Sequence, residues 1–164
     1  MRKKFLLGIC LFLFVLTGCE LNNNPTSKVE ELLGNYQGLD KKISYNYVAL
    51  ANDSNLDQDI IEKYEDLIKK QYRNLSYEVK EEVIDGGSAV VTVQIDVLNY
   101  KKVLDNYSSY TLSSSEHEKI INELKKVKDK VTYTIDFSVT KNKNGDWKLD
   151  DLTTEEEQKL LGIY

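Results

Sequence analysis

Cysteine is scarce in this 164-residue chain: it holds two, Cys10 and Cys19. Two residues build no disulfide framework, and no pair of cysteines or histidines stands at the spacing of a zinc site. Histidine occurs once, as His117, and a single imidazole brings neither a ligand set nor a spaced partner for acid–base work. Proline occurs once, at Pro25. There is no internal repeat, low-complexity tract, phosphate-binding loop or nucleophile elbow. The acidic stretches Asp150–Asp151 and Glu155–Glu157 lack the alternating oxygen ligands and glycine of a calcium loop, and glutamates there suit a helix N-terminus. These absences predict a protein with no catalytic set, no metal and no cofactor.

Long apolar runs are also missing, with one exception. Phe5–Leu16 (FLLGICLFLFVL) follows the basic start Met1-Arg2-Lys3-Lys4 and precedes the small residues Thr17 and Gly18. Crossing ~30 Å of hydrocarbon takes ~20 apolar residues, so this run is too short to span and has the order of an export signal instead. The four residues that close it, Leu16-Thr17-Gly18-Cys19, resemble the lipobox of bacterial lipoproteins. The resemblance implies cleavage between Gly18 and Cys19 and a diacylglyceryl group on the Cys19 thiol. One acyl chain holds a protein only marginally, whereas two on one cysteine give a stable tether. The expected location is therefore the extracytoplasmic face of the cell membrane, with the membrane as a partner through lipidated Cys19.

Removing residues 1–18 leaves 19 basic against 27 acidic residues, a net charge of −8. Nucleic acid and anionic headgroups are bound through clustered Lys and Arg, so neither is an expected partner. The expected organisation is a signal peptide over 1–18, a polar tether over 19–25 and one domain over 26–164, long enough to bury a core.

Within that domain, Ser27 with Glu30 predicts a capping box and a first helix carrying Val29, Leu32, Leu33, Tyr36 and Leu39. A stronger helical stripe follows: Leu56, Ile60, Ile61, Tyr64, Leu67, Ile68 and Tyr72. The period then changes to two. Tyr77 and Val79 alternate with polar neighbours, as do Ala89, Val91, Val93, Ile95 and Val97, which predicts a hairpin. Keeping apolar residues on one face favours a three-residue loop, Asp85–Gly87 with Gly87 left-handed, pairing Val79 with Val93 and Tyr77 with Ile95. An ambiguous stretch, NYKKVLDNYSSYTLSSS, leads to a helix capped by Ser115 and Glu118 with Ile120, Ile121, Leu124 and Val127 on one face. A second hairpin joins Val131–Thr140 to Trp147 and Leu149 across Lys143-Asn144-Gly145, and a final helix starts at Thr153 or Thr154.

This order predicts an α+β fold: an antiparallel sheet of about four strands covered on one face by helices. The closing segment, VTYTIDFSVTKNKNGDWKLDDLTTEEEQKLLGIY, resembles small uncharacterised lipoproteins of low-GC Gram-positive bacteria, and the element order is similar to a cystatin-like or NTF2-like cone. That resemblance implies a fold and supplies no catalytic residues.

Four features remain as candidate chemistry. His117, between Glu116 and Glu118 at a helix start, is expected to be exposed. Asp96 and Asp136 lie in central strands, where a carboxylate pair could do acid–base work if one were desolvated, but alternation places both on the polar face. Glu81 has inward parity, as either a bulged strand position or a pocket acid. Eleven tyrosines suit either a pocket rim or the edge of a core. The expected function is a non-catalytic module binding an envelope protein or small-molecule ligand; the alternatives are a pocket enzyme of NTF2-like type and a purely structural lipoprotein.

Overall fold

The computed structural model describes residues 23–107 and 112–164. The signal segment, Cys19, the Gly18–Cys19 cleavage point and Tyr110 lie outside the described residues.

The first helix, α1 (Pro25–Gly38), starts two residues before the predicted box. Asn24 is its N-cap: the side-chain oxygen accepts from Ser27 N at 2.7 Å, and Ser27 Oγ accepts from Asn24 N at 3.3 Å. Pro25 then occupies the first helical position, where its missing N–H costs nothing. After the short helix α2 (Tyr47–Ala51), α3 (Gln58–Asn74) follows the predicted stripe, burying Ile60, Tyr64, Leu67, Ile68 and Tyr72 together with Gln71.

Four strands form one antiparallel sheet in chain order: β1 (Ser76–Asp85), β2 (Ser88–Leu98), β3 (Lys130–Lys141) and β4 (Trp147–Leu149). Period-two alternation gives it one apolar and one polar face. Val91, Val93, Ile95, Val97, Ile135, Phe137 and Val139 are buried beneath α1 and α6 (Thr154–Leu161), alongside Val29, Leu33, Trp147 and Leu160. The opposite face carries Thr92, Gln94, Asp96, Thr132, Thr134, Asp136 and Ser138 toward solvent. The architecture is α+β, with helices on one side of a four-stranded antiparallel sheet.

The β1–β2 hairpin corrects the expected loop. Val79 faces Val93 and Tyr77 faces Ile95 as predicted, yet Ile84 faces Ala89 and Asp85 faces Ser88, so the turn is the two-residue Gly86-Gly87. Gly86, and not Gly87, has the positive φ (58°), the residue choice of a type II′ turn. The two pairings coexist because Lys80 is a β-bulge, and the register shifts between Val79 and Glu81. The extra residue switches parity, and Glu81 is exposed beyond it rather than facing the core. The second hairpin matches its prediction: Val139 faces Leu149, Lys141 faces Trp147, and Gly145 takes φ 85° in the loop.

Between β2 and β3 lie the short helix α4 (Lys101–Leu104) and α5 (Ser114–Leu124). The cap of α5 is Ser113 with Glu116, two residues before the predicted Ser115–Glu118 box. The last helix, α6, is capped by Thr153 with Glu156, one of the two predicted starts. At the end of β2, where Leu98 and Tyr100 are buried, a second apolar cluster forms among the helices. It contains Leu50, Ile60, Tyr64, Leu67, Ile68, Tyr72, Ile120, Ile121, Leu124 and Leu161.

Candidate functional site

The helical cluster places His117 in the interior. With α5 beginning at Ser114, His117, Ile120, Ile121 and Leu124 stand at i, i+3, i+4 and i+7, one continuous inward stripe. His117 is fully buried, which overturns the expectation that it is exposed. Its Nδ1 lies 2.9 Å from the Tyr64 hydroxyl of α3, with the two rings edge-on at 5.8 Å between centroids. Tyr64 is itself fully buried, and its phenol pKa is raised, first by burial and second by the negative charge of Asp53.

Asp53 reaches the other side of the imidazole. The chain leaves α2 through Asn52 in the left-handed region (φ 53°), whose N–H bonds Val48 O at 2.8 Å, so the next side chain turns back toward α5. Asp53 Oδ1 accepts from Asn55 N at 2.8 Å, closing an Asx turn. Its Oδ2 stands 3.7 Å from His117 Nε2, too far for a hydrogen bond. Nε2 is left as a buried nitrogen without a hydrogen-bond partner among the described residues. Buried polar groups are paired in the great majority of cases, so an orphan of this kind asks for an explanation.

A cavity of about 250 Å³ adjoins this group. Asn52, Asp53, Tyr107 and Gln158 supply polar wall, while Leu104, Leu112 and Ile163 supply apolar wall. Among the described residues, neither Lys nor Arg lines it. Lys63 is held outside by Asp59 at 3.2 Å and by Glu118, pairing α3 with α5 beside the site.

The other sequence candidates do not meet there. Asp136 accepts from Thr92 Oγ1 at 2.7 Å and Asp96 from Thr132 Oγ1 at 2.6 Å, each across a strand pair on the solvated face. No group of three or more His, Cys, Asp or Glu side chains is arranged to hold a metal among the described residues. The tyrosines divide. Tyr64, Tyr72 and Tyr100 are core, with Tyr36 stacked on Tyr72 at 4.4 Å, and Tyr107 lines the cavity. Tyr133 donates from its hydroxyl to Tyr164 O at 3.0 Å.

Sequence reasoning missed Asp53 and Gln158 as wall residues, because nothing local marks them. It also missed Gln71, whose amide nitrogen donates to Leu98 O (2.8 Å) and Leu161 O (2.7 Å) while its oxygen accepts from Leu98 N (2.8 Å). This buried amide ties α3, the end of β2 and the end of α6 together.

No family model and no curated protein matches the chain. Among solved structures, the chain is similar to the crystal structure of the Bacillus subtilis protein ycdA, described as a candidate lipoprotein. The identity is 18% and the TM-score 0.46, over 87% of this chain and 50% of that one. The chain thus spans half the length of that neighbour.

Proposed function

We propose that this is a lipid-anchored lipoprotein on the extracytoplasmic face of the cell membrane, acting as a non-catalytic module that binds a small molecule in the His117 cavity. The anchoring half rests on the sequence: a basic start, a short apolar run and LTGC. No described helix is long and apolar enough to cross a membrane. Cys19→Ser is expected to abolish incorporation of labelled fatty acid and to move the protein from the membrane to the soluble fraction. Unchanged membrane retention would contradict the tether.

The binding half rests on one observation, the buried, unpartnered His117 Nε2 beside a preformed cavity with polar and apolar walls. Native mass spectrometry of the full chain extracted from membranes is expected to show a small-molecule adduct. Ala49→Trp, which fills the cavity, should lose that adduct. A bare wild-type protein counts against the reading.

A specific contact favours a second reading, acid–base catalysis, because one imidazole has a phenol at 2.9 Å and a carboxylate at 3.7 Å. The two readings differ in the fate of the ligand. A binder returns the extracted molecule unchanged on prolonged incubation, whereas an enzyme returns it altered, and His117→Gln stops the alteration.

A further inference from the structure

The state of His117 follows from Tyr64. A buried phenol must place its proton on an acceptor, and the one within reach among the described residues is His117 Nδ1 at 2.9 Å. The raised phenol pKa keeps that proton on Tyr64. With Nδ1 accepting, neutral imidazole carries its own proton on Nε2; in the protonated ring Nε2 carries one as well. Nε2 is therefore a hydrogen-bond donor in both charge states. It faces Asp53 Oδ2, an acceptor, across 3.7 Å.

A donor and an acceptor that face each other but do not touch define what fits between them. An oxygen about 2.8 Å from both must accept from Nε2–H and donate to the carboxylate. A hydroxyl does both. An ammonium can only donate, and a carboxylate or phosphate can only accept while meeting the charge of Asp53. The rest of the wall agrees. Asn52 and Gln158 are amides that each give and take hydrogen bonds, and among the described residues no cation lines the cavity to attract an anion. The volume of about 250 Å³ suits one small ring, with Leu104, Leu112 and Tyr107 against its apolar edges.

We infer that the cavity takes a neutral, hydroxyl-rich ligand of monosaccharide size, one hydroxyl of which bridges His117 Nε2 and Asp53 Oδ2. This rests on the cavity being a binding site. The Asp53 side chain is 27% exposed, against 1% for His117, so the ligand approaches the pair from the Asp53 side.

His117 is the only histidine, so ¹⁵N-histidine labelling of the full chain in lipid nanodiscs gives a single-site reporter. Three probes share one ring and differ in charge: glucose, glucosamine and glucuronate. The free protein should show the Nε2–H tautomer. Glucose should shift the imidazole signals saturably in the millimolar range, with glucosamine and glucuronate at least ten-fold weaker. Asp53→Asn, a change at a partly exposed loop residue, should weaken glucose about ten-fold and narrow its lead over glucuronate. Tighter binding of either charged probe, or glucose binding indifferent to Asp53→Asn, overturns the ligand class but leaves a cavity that binds. An Nε2 without a proton overturns the bridging geometry. Silence from all three probes overturns this inference, while the adduct on the membrane-extracted protein decides the binding reading beneath it separately.

Discussion

Gln71 and Gly162 carry more of the interior than their residue types suggest. Replacing Gln71 by Leu keeps the volume but strands Leu98 N–H and Leu161 C=O, while Leu98 O retains Tyr100 N at 3.0 Å. Each orphaned buried group costs roughly 1–3 kcal/mol, so Gln71→Leu should destabilise by about 2–6 kcal/mol in urea denaturation. Gly162 ends α6 with φ 69°, and a Cβ there would lie 2.0 Å from Leu98 O, a backbone atom that cannot step aside. Gly162→Ala should therefore cost more than the ~1 kcal/mol of an ordinary left-handed position, read in the same denaturation series. Both residues show where sequence reading stops. Gln71 sits within the apolar stripe of α3, three residues after Ile68, yet a polar residue is not counted in such a stripe. His117 repeats the lesson. It lies three and four residues before Ile120 and Ile121, and that spacing was in the sequence, but the flanking glutamates and a cap set two residues late turned it outward. Spacing reported burial correctly in both cases; polarity misled, because a polar group can be buried once a partner from elsewhere in the chain meets it.

Elements were legible where alternation and caps agreed. The cleanest case is β3, which carries the predicted alternating faces, and its hairpin with β4 closes through Gly145 in the expected register. The β1–β2 hairpin was legible at its centre and not at its turn. Apolar pairing fixes Val79 against Val93, but a bulge can absorb one residue between there and the loop, and no residue type announces it. The bulge has a structural consequence. It puts Glu82 opposite Val91, on the helix-covered side, where its carboxylate accepts from Thr26 N at 2.9 Å and Thr26 Oγ1 at 2.7 Å in the first turn of α1. An anion at a helix N-terminus is favourable, so the bulge helps to dock α1 on the edge strand. Deleting Lys80 removes the extra residue while leaving Val79–Val93, Glu82–Val91 and the two-residue turn in phase. That deletion should change stability by less than about 1 kcal/mol, within the range of ordinary surface changes. Gly86→Val, a branched side chain at φ 58°, should cost about 1–3 kcal/mol. Parallel urea titrations distinguish the two, and the opposite ranking would mean that the three-residue loop is the stable one.

At the scale of the whole molecule, the α+β class and the single covered face of the sheet could be read from element order, whereas the site could not. Asp53, Tyr64 and His117 come from a loop and two helices separated by up to 64 positions, and only tertiary packing brings them together. The tyrosines then give the molecule a property that the fold as a whole must express. Burial raises the phenol pKa of Tyr64, Tyr72 and Tyr100, and it raises Tyr36 to about 12, with Glu157 adding to the effect. In the unfolded chain each phenol titrates near pH 10. Below that pH both states hold the proton and the contribution to stability is fully present. Above it the unfolded state releases protons that the folded state keeps, so stability falls as pH rises through 10 toward 12. The slope is on the order of 1.4 kcal/mol per pH unit for each phenol still protonated in the folded state. Lys63 and Lys69, raised by their carboxylate partners, push in the same direction, and Lys70, lowered by burial, opposes them. Urea denaturation should therefore be nearly independent of pH from 8 to 9.5 and weaken steeply above 10. Tyrosinate absorbance should rise together with unfolding, not ahead of it. Tyr100→Phe gives up one hydrogen bond to Leu67 O (3.1 Å), so it starts lower, but it should also lose one phenol's share of the slope. Stability that stays level to pH 11.5, or tyrosinate formed by these four phenols while the protein remains folded, would show that they are not packed as described here.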